Sequence, residues 1–271
     1  MQFNSKKFEW VRYSCNSTTS PVFSYEAPDE SNIEMKSCVR DLGIILSSDL
    51  SFTLQIQKAV SSASQMVGWC LRTFRGRGSF LILTLFKSLV QPHLDYCNQI
   101  WSPCKQEDIN RIEQVQRLVV SRIRDIRLDG LNYWQKLEHL KLYSQERRRE
   151  RYQIILIWKI SQGMVSGYDI NFSSCLGRTG RKAIPRPINS RSSAAIRNAR
   201  AATLAVRGAQ LFNLMPLNLR NSNHGDLPMF KNHLDIHLQA IPDQPTTQGL
   251  TRGAKSNSLM DQIPIYEINS F

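Results

Sequence analysis

Apolar residues recur at helical spacing in the middle of the chain. From Ser51 onward they fall about one helical turn apart, at Phe52, Ile56, Ala59, Ala63, Val67, Cys70, Leu71 and Phe74. A period near 3.6 residues is typical of a helix with one buried face. Ser51 is a suitable N-cap, and the glycines of "GRG" at 76–78 favour an end to the element. The pattern therefore predicts a long amphipathic helix over 51–74.

The same spacing predicts further helices downstream. One extends from Ser79 to Val90, and Pro92 kinks or ends it because proline has no amide hydrogen to donate. The next begins near Gln106 and ends before the turn at Asp129-Gly130. Its apolar face comprises Ile109, Ile112, Val115, Val119, Ile123 and Ile126. Four more helices are predicted near 133–140, 144–163, 197–213 and 230–241.

Strand signals are confined to the N-terminal part of the chain. "KFEWVRY" at 7–13 alternates in character and predicts a short strand. "CVRDLGIIL" at 38–46 is a β-branched run interrupted by Gly43, which indicates a strand with a bulge or a close backbone approach. The segment 14–32 between them is rich in Ser, Thr, Pro and Asn and predicts a loop.

Together these elements predict a mainly α fold, a helical bundle with a small N-terminal β portion. We expect the helices between 51 and 165 to form the core domain, after a β portion over 1–50. Residues 166–271 are expected to form a looser basic C-terminal region, partly disordered and with short helices.

Charge favours an anionic partner. Lys and Arg number 35 against 22 Asp and Glu, which leaves a formal charge of +13. No acidic residue stands between Asp169 and Asp226, where nine basic residues occur. Such a stretch is either a disordered basic linker or a surface that follows a nucleic-acid backbone, and both readings stay open. RNA or DNA is the expected partner, ahead of a membrane surface.

The cellular setting follows from what the chain lacks. It has no run of eighteen apolar residues, so we expect no membrane-spanning helix. Its first residues do not have the apolar core of a signal peptide. The six cysteines, Cys15, Cys38, Cys70, Cys97, Cys104 and Cys175, are scattered, which favours reduced thiols. We expect an intracellular protein, in the cytoplasm or the nucleus.

The stretch "LVQPHLDYCNQIWSPC" at 89–104 carries the most concentrated candidate chemistry. On a helix, His93 and Cys97 would share a face while Asp95 would point elsewhere. A Cys-His nucleophile or a zinc site with Cys104 is therefore conceivable, but no C-x2-C or H-x3-H pair supports it. The favoured interpretation is packing around a proline-marked corner. Its packing residues would be Leu94, Tyr96, Cys97, Ile100 and Trp101.

Two basic runs are the other candidates. "RGRGS" at 75–79 could sit against a phosphate, although a turn between helices needs the same glycines. "ERRRER" at 146–151 would wrap a helix, with Glu146 and Glu150 paired to arginines one turn away. For this run alone, a solvated ion-pair face is favoured over nucleic-acid contact. The sequence offers no convincing set of carboxylates for two Mg²⁺ ions and no phosphate-binding loop of the Walker type.

Several segments, read in order, resemble one family. They are "FNSKK" at 3–7, "VRDLGIILSSDLSF" at 39–52, "LFKSLVQPHLDYCNQIWSP" at 85–103, "IEQVQR" at 112–117 and "LYSQERRRERYQIILIWKI" at 142–160. They resemble the part downstream of the polymerase active site in reverse transcriptases of non-LTR retrotransposons, of the LINE-like, jockey type. "VRGAQLFNLMPLNLRN", "FKNHLDIHLQAIPDQP" and "NSLMDQ" resemble the C-terminal tail of the same polyproteins.

The resemblance implies an RNA-directed DNA polymerase that uses Mg²⁺ held by three carboxylates, two of them in an F/Y-A-D-D turn. That turn has no counterpart in this sequence, so we expect the end of the palm, a thumb or connector and the tail, without catalysis by the chain alone and without a cofactor of its own. The expected nucleic-acid contacts are Lys6, Lys7, Arg72, Arg75, Arg77, Arg147, Arg148, Arg178, Arg181 and Lys182. The alternative is a helical protein-interaction domain, or an element-derived protein without activity, that self-associates through exposed apolar surface.

Overall fold

The helices dominate the structure and confirm the mainly α prediction. The computed structural model describes residues 7–13, 23–103, 105–168, 170–173, 180–191, 194–222, 225–245 and 257–269. The α-helices are α1 Thr53–Thr73, α2 Ser79–Leu85, α3 Gln91–Asp95, α4 Gln106–Ser121, α5 Tyr133–His139, α6 Gln145–Ser161, α7 Ala194–Ala201, α8 Ala209–Asn213, α9 Leu217–Arg220, α10 Leu227–Ala240 and α11 Leu259–Asn269. None of these helices combines the length and apolar character that crossing a membrane requires.

Short strands form the N-terminal β portion and one small ladder later in the chain. They are β1 Trp10–Val11, β2 Tyr25–Glu26, β3 Asn32–Ile33, β4 Met35–Lys36, β5 Cys38–Asp41, β6 Ile44–Ser47, β7 Asn171–Phe172 and β8 Ala183–Ile184. β1 pairs with β4 in parallel, whereas β2 with β3, β5 with β6 and β7 with β8 are antiparallel. Of the loop predicted over 14–32, residues 14–22 lie outside the described residues.

The predicted single strand over 38–46 is wrong, because the chain reverses at its glycine. β5 and β6 form a hairpin in which Asp41 pairs with Ile44. The two turn residues, Leu42 and Gly43, both have positive φ, +43° and +89°. Two-residue hairpin turns require this backbone conformation, and glycine adopts it without strain.

α1 follows the predicted pattern almost to the residue. Ile56, Ala59, Ala63 and Val67 are buried along one face, and they pack against the apolar face of α4 in one hydrophobic cluster. The helix ends at Thr73, where the amide of the following Phe74 still donates to the carbonyl of Cys70. Burial of this stripe stabilises the N-terminal half of the molecule.

The helix after Gly78 continues through its proline instead of ending there. α2 passes into a π-helical turn over Phe86–Val90 and then into α3, with Pro92 in the first turn of α3. In a regular α-helix the proline ring would clash with the carbonyl four residues back. The wider π turn directly before it relieves this clash, which explains why the element runs on to Asp95.

Two hydrophobic clusters divide the described chain, and α6 joins them. The first contains the buried residues of β6, α1, α2, α3 and α4. The second begins in the apolar half of α6, where Trp158 stacks on Phe230 of α10 with ring centroids 4.4 Å apart. The division of the chain at 165 into a helical domain and a C-terminal region stays a prediction.

One stretch of the C-terminal region, 204–219, is packed. Its residues Leu204, Leu211, Phe212 and Met215 are buried in the hydrophobic cluster to which α6 and α10 also contribute. The basic composition of this stretch therefore does not prevent it from contributing a core. The expected partial disorder of 166–271 stays a prediction, and the segments 174–179 and 246–256 lie outside the described residues.

Candidate nucleic-acid interface

The densest basic run, 146–151 in α6, is directed into the protein. Arg147 is fully buried, with 0% of its surface exposed. Its guanidinium donates to the carbonyls of Leu238, Ile241 and Pro242 at 3.0 to 3.4 Å. These carbonyls lie at and beyond the C-terminal end of α10, where a cation is electrostatically favoured. The prediction that Arg147 contacts nucleic acid is wrong, because its side chain is inaccessible to a phosphate.

The other charges of the run are also paired across the structure. Arg148 forms an ion pair with Asp95, and Arg151 pairs with Asp235. Glu150 accepts a hydrogen bond from Arg207 at 2.8 Å and from the amide of Leu259 at 2.8 Å. The expected solvated ion-pair face is therefore wrong, since these charges join α6 to distant segments. Arg148, whose charge is balanced by Asp95, is a poor phosphate ligand.

Burial shifts the pKa values of charged groups in α6 and in the neighbouring α4. Burial raises the pKa of Glu146, and the like charge of Glu150 raises it further. Burial likewise lowers the pKa of the Arg149 guanidinium. Glu113 of α4 is also buried, which raises the pKa of its carboxyl group, although Tyr133 and the amide of Gln145 both donate to it. These groups form a structural polar network rather than an open site.

The stretch 89–104 is a packed corner, and it does not assemble the Cys-His arrangement. α3 ends at Asp95, and Cys97 lies beyond it with φ at +50°, so His93 and Cys97 do not share a helix face. Leu94 and Trp101 are fully buried, which agrees with the packing interpretation. Two further packing candidates, Tyr96 and Ile100, are exposed instead. Cys104, the third zinc candidate, lies outside the described residues.

Arginines gather where the C-terminal ends of α1 and α4 meet. The amide of Arg124 donates to the carbonyl of Arg77 at 2.8 Å, which joins the two loops that follow these helices. A cleft of about 450 Å³ lies there, lined by Leu71, Arg77, Ser121, Arg122 and Arg124. We call this region the arginine corner, and its members are Arg72, Arg75, Arg77, Arg122, Arg124 and Arg127.

Arg77 has a structural role within the arginine corner. Its guanidinium donates to the carbonyl of Leu71 at 2.7 Å and also to the carbonyls of Phe74 and Gly76. These bonds satisfy carbonyl groups that the end of α1 leaves without amide partners. They also fix the loop that carries Arg75. Arg77 therefore shapes the corner and adds positive charge, while its donors are largely occupied.

Four other arginines of the corner face solvent. Arg72, Arg75, Arg122 and Arg124 are exposed, and none of them pairs with a carboxylate of the described residues. The Arg72 side chain runs along α1 toward Gly68, because a methyl group added at Gly68 would lie 3.3 Å from the Nη1 atom of Arg72. The corner thus presents several free guanidinium groups, which are suited to binding phosphate oxygens.

One acidic residue of the loops of the corner, Asp125, is paired with an arginine. It forms a two-point ion pair with Arg127, with Nη2 of the arginine 2.8 Å from Oδ2. These bonds from Arg127 hold the pKa of the Asp125 carboxyl well below its ordinary range, and the Ser79 side chain lowers it further. Asp125 therefore neutralises Arg127 and leaves the remaining arginines without an acidic partner.

Three of the six arginines of the corner, Arg72, Arg75 and Arg77, are among the contacts predicted from the sequence. Arg122, Arg124 and Arg127 were not predicted, because they follow a different helix. A usable signal exists, since no Asp or Glu stands between Asp49 and Asp95 in the printed sequence. An acid-free helix hairpin of this length indicates a surface of one sign.

The other predicted contacts lie on different elements. Lys7 and Lys182 are exposed, and Arg181 lies against the end of α6, where its Nη1 atom is 3.4 Å from the Ser161 hydroxyl oxygen. Lys6 and Arg178 lie outside the described residues. No group of three His, Cys, Asp or Glu side chains able to hold a metal ion occurs in the described ranges.

Comparisons with known protein families, with curated proteins and with solved structures found no match to this chain.

Proposed function

We propose that this chain is a non-catalytic protein, derived from the part of a non-LTR retrotransposon reverse transcriptase that follows the polymerase active site, and that it binds RNA or DNA. The arginine corner is the observation that carries the binding proposal. The order and spacing of the segments that resemble this polymerase support the proposed origin. No polymerase step is assigned to this chain, because the F/Y-A-D-D turn of that family has no counterpart in its sequence.

The chemistry of the arginine corner suits a phosphate backbone. Four exposed guanidinium groups, one on the last turn of α1 and three on the two joined loops, can each donate two hydrogen bonds to phosphate oxygens. Binding of this kind positions a nucleic acid without reading its sequence. Its affinity comes largely from the release of counterions, so it decreases as salt increases. The corner therefore favours sequence-tolerant binding.

A protein-interaction role is the second candidate, and exposed apolar residues of the β portion favour it. Leu42 at the hairpin turn is 83% exposed, and Phe23, Tyr25 and Met35 are also exposed. Apolar side chains grouped on a surface often mark a contact with another protein. Sedimentation velocity of the purified protein tests this role, because a concentration-dependent dimer that Leu42→Ser converts to a monomer would support it.

Fluorescence anisotropy with a labelled single-stranded RNA tests nucleic-acid binding directly. The double variant Arg72→Gln/Arg75→Gln removes two exposed charges of the corner. The matched control Arg40→Gln/Lys87→Gln removes two charges that are equally exposed on β5 and on the π-helical turn. We expect the corner variant to bind roughly tenfold or more weakly at low salt, and the control to bind like the wild type. Equal binding by both variants would contradict the proposal.

A further inference from the structure

Two of the most exposed apolar side chains among the described residues border the arginine corner. Phe80 is 84% exposed and Ile126 is 86% exposed. Phe80 lies three residues after Arg77, and Ile126 lies two residues after Arg124. The amide of Arg124 donates to the carbonyl of Arg77 at 2.8 Å, which joins the two loops of the corner. Both side chains are therefore exposed beside the point where these loops meet.

Packing inside the protein does not explain these two residues. In α2, Ile82 supplies the buried contact, and in the short helical turn after Asp125 the buried residue is Leu128. Phe80 and Ile126 point away from the cluster to which Ile82 and Leu128 belong. Exposing a phenylalanine ring to water is unfavourable, on the order of 2 kcal/mol relative to its burial. A ligand that covers the ring would recover this free energy.

A third apolar side chain lies beside the corner on α1. Trp69 is half exposed and precedes Arg72 by three residues, so the two are neighbours on the helix surface. Its ring contacts Phe74 edge to face, with centroids 6.2 Å apart, which limits its orientations. The guanidinium groups of the corner are thus bordered by two exposed aromatic rings, Phe80 and Trp69.

We propose that the arginine corner selects unpaired nucleotides, with Phe80 as the platform on which a base stacks. This inference rests on the proposed nucleic-acid binding and specifies its substrate class. The positive charge requires an anionic partner, and the exposed ring requires a partner with a flat apolar face. A single strand supplies both, because its phosphates and base faces are accessible together. A duplex supplies only the phosphates, since its bases are stacked on one another.

Substitutions at Phe80 separate stacking from simple apolar contact. Phe80→Leu keeps an apolar side chain but removes the ring, whereas Phe80→Trp keeps a ring that stacks. Since the residue is exposed, neither substitution should disturb folding, which circular dichroism and urea denaturation can check. Anisotropy titrations of a single-stranded RNA and of a duplex RNA, each of roughly 20 nucleotides or base pairs, then compare these variants with the wild type.

We expect Phe80→Leu to weaken single-strand binding about tenfold, to leave duplex binding unchanged, and to be rescued by Phe80→Trp. Equal effects on both RNAs, or no effect on either, would overturn the stacking inference, while the proposed binding would stand as long as Arg72→Gln/Arg75→Gln still weakens both. If that double variant binds both RNAs like the wild type, nucleic-acid binding at the corner itself fails. Sedimentation velocity gives a further outcome: a dimer that Phe80→Leu converts to a monomer would assign this surface to protein contact and overturn the inference.

Discussion

Arg148 of α6 and Asp95 at the end of α3 form a two-point ion pair. Nη2 of the arginine lies 2.7 Å from Oδ2 of the aspartate, and Nε lies 3.2 Å from Oδ1. The same Nη2 donates to the hydroxyl oxygen of Tyr152 at 2.8 Å. The pair joins the corner of the N-terminal hydrophobic cluster to the helix that begins the second cluster. Asp95 therefore acts as a structural counter-ion in a stretch that resembles a catalytic one.

Removing this counter-ion should destabilise the protein. We expect Asp95→Asn to lower the free energy of unfolding by about 1 to 2 kcal/mol, because a partly buried two-point ion pair becomes a single hydrogen bond from the guanidinium to a neutral amide oxygen. Urea denaturation measures the change. Asp129→Asn is the matched control, since Asp129 is exposed and forms no side-chain ion pair with a described residue. Equal midpoints for the two variants would contradict a structural role for the pair.

Arg147 should be necessary for stability and irrelevant to nucleic-acid affinity. Arg147→Met leaves three carbonyl groups near the end of α10 without their donor, so we expect a loss of about 3 kcal/mol or more of unfolding free energy. Arg75→Met changes an exposed side chain of the corner, and we expect a stability change below about 0.5 kcal/mol. Thermal or urea unfolding measures both variants.

The two arginines should show the opposite order in RNA binding. Arg75→Met removes a free guanidinium group and should weaken binding, whereas folded Arg147→Met should bind like the wild type. If Arg147→Met lost affinity while keeping its stability, the buried assignment of this side chain would be wrong.

Glu146 should make the protein less stable as pH rises toward neutrality. Its pKa is raised in the folded state, by burial first and by Glu150 second. Between the ordinary glutamate pKa of 4.5 and the raised value, the folded state binds more protons than the unfolded state, so stability falls with increasing pH. Below pH 4.5 the carboxyl is protonated in both states, and this cost is absent.

Glu146→Gln should remove this part of the pH dependence. In the wild type the Glu146 carboxylate accepts a hydrogen bond from the backbone amide of Asn257 at 3.0 Å. The side-chain amide oxygen of the glutamine can still accept this bond. Between pH 4.5 and neutrality, the free energy of unfolding should fall by roughly 1 kcal/mol less in the variant than in the wild type. Part of the slope should remain, because burial also raises the pKa of Glu113. Urea denaturation across this pH range measures it, and identical slopes would contradict the assignment.

The periodic elements of the fold could be predicted from the sequence, because their information is local. The helix predicted over 51–74 is observed as α1, Thr53–Thr73, since its buried stripe repeats within the element. The hairpin at Gly43 was missed because an apolar run does not reveal where the chain reverses. The sequence left open whether Pro92 kinks or ends the helix, because its passage depends on a π-helical turn that no spacing rule signals.

The burial and pairing of the charged residues depend on contacts between segments that are distant in sequence. "ERRRER" has the composition of a solvated face. In the structure, however, Glu150 is paired with Arg207, and Arg147 donates to a carbonyl just beyond the end of α10. Likewise, the density of arginines at 72–77 was visible locally. Arg122 and Arg124 lie beside these arginines because α1 and α4 end next to each other. Helix packing, rather than local sequence, determines that arrangement.

The salt dependence of RNA binding tests the central claim most directly, that the arginine corner neutralises phosphates. For a single strand, the logarithm of the association constant should fall linearly with the logarithm of the salt concentration, with a slope of about 0.7 per phosphate neutralised. We predict a clear slope for the wild type and a slope shallower by about 1.4 for Arg72→Gln/Arg75→Gln, because two contacts are removed. Absence of binding at low salt, or the same slope in both proteins, would contradict the account.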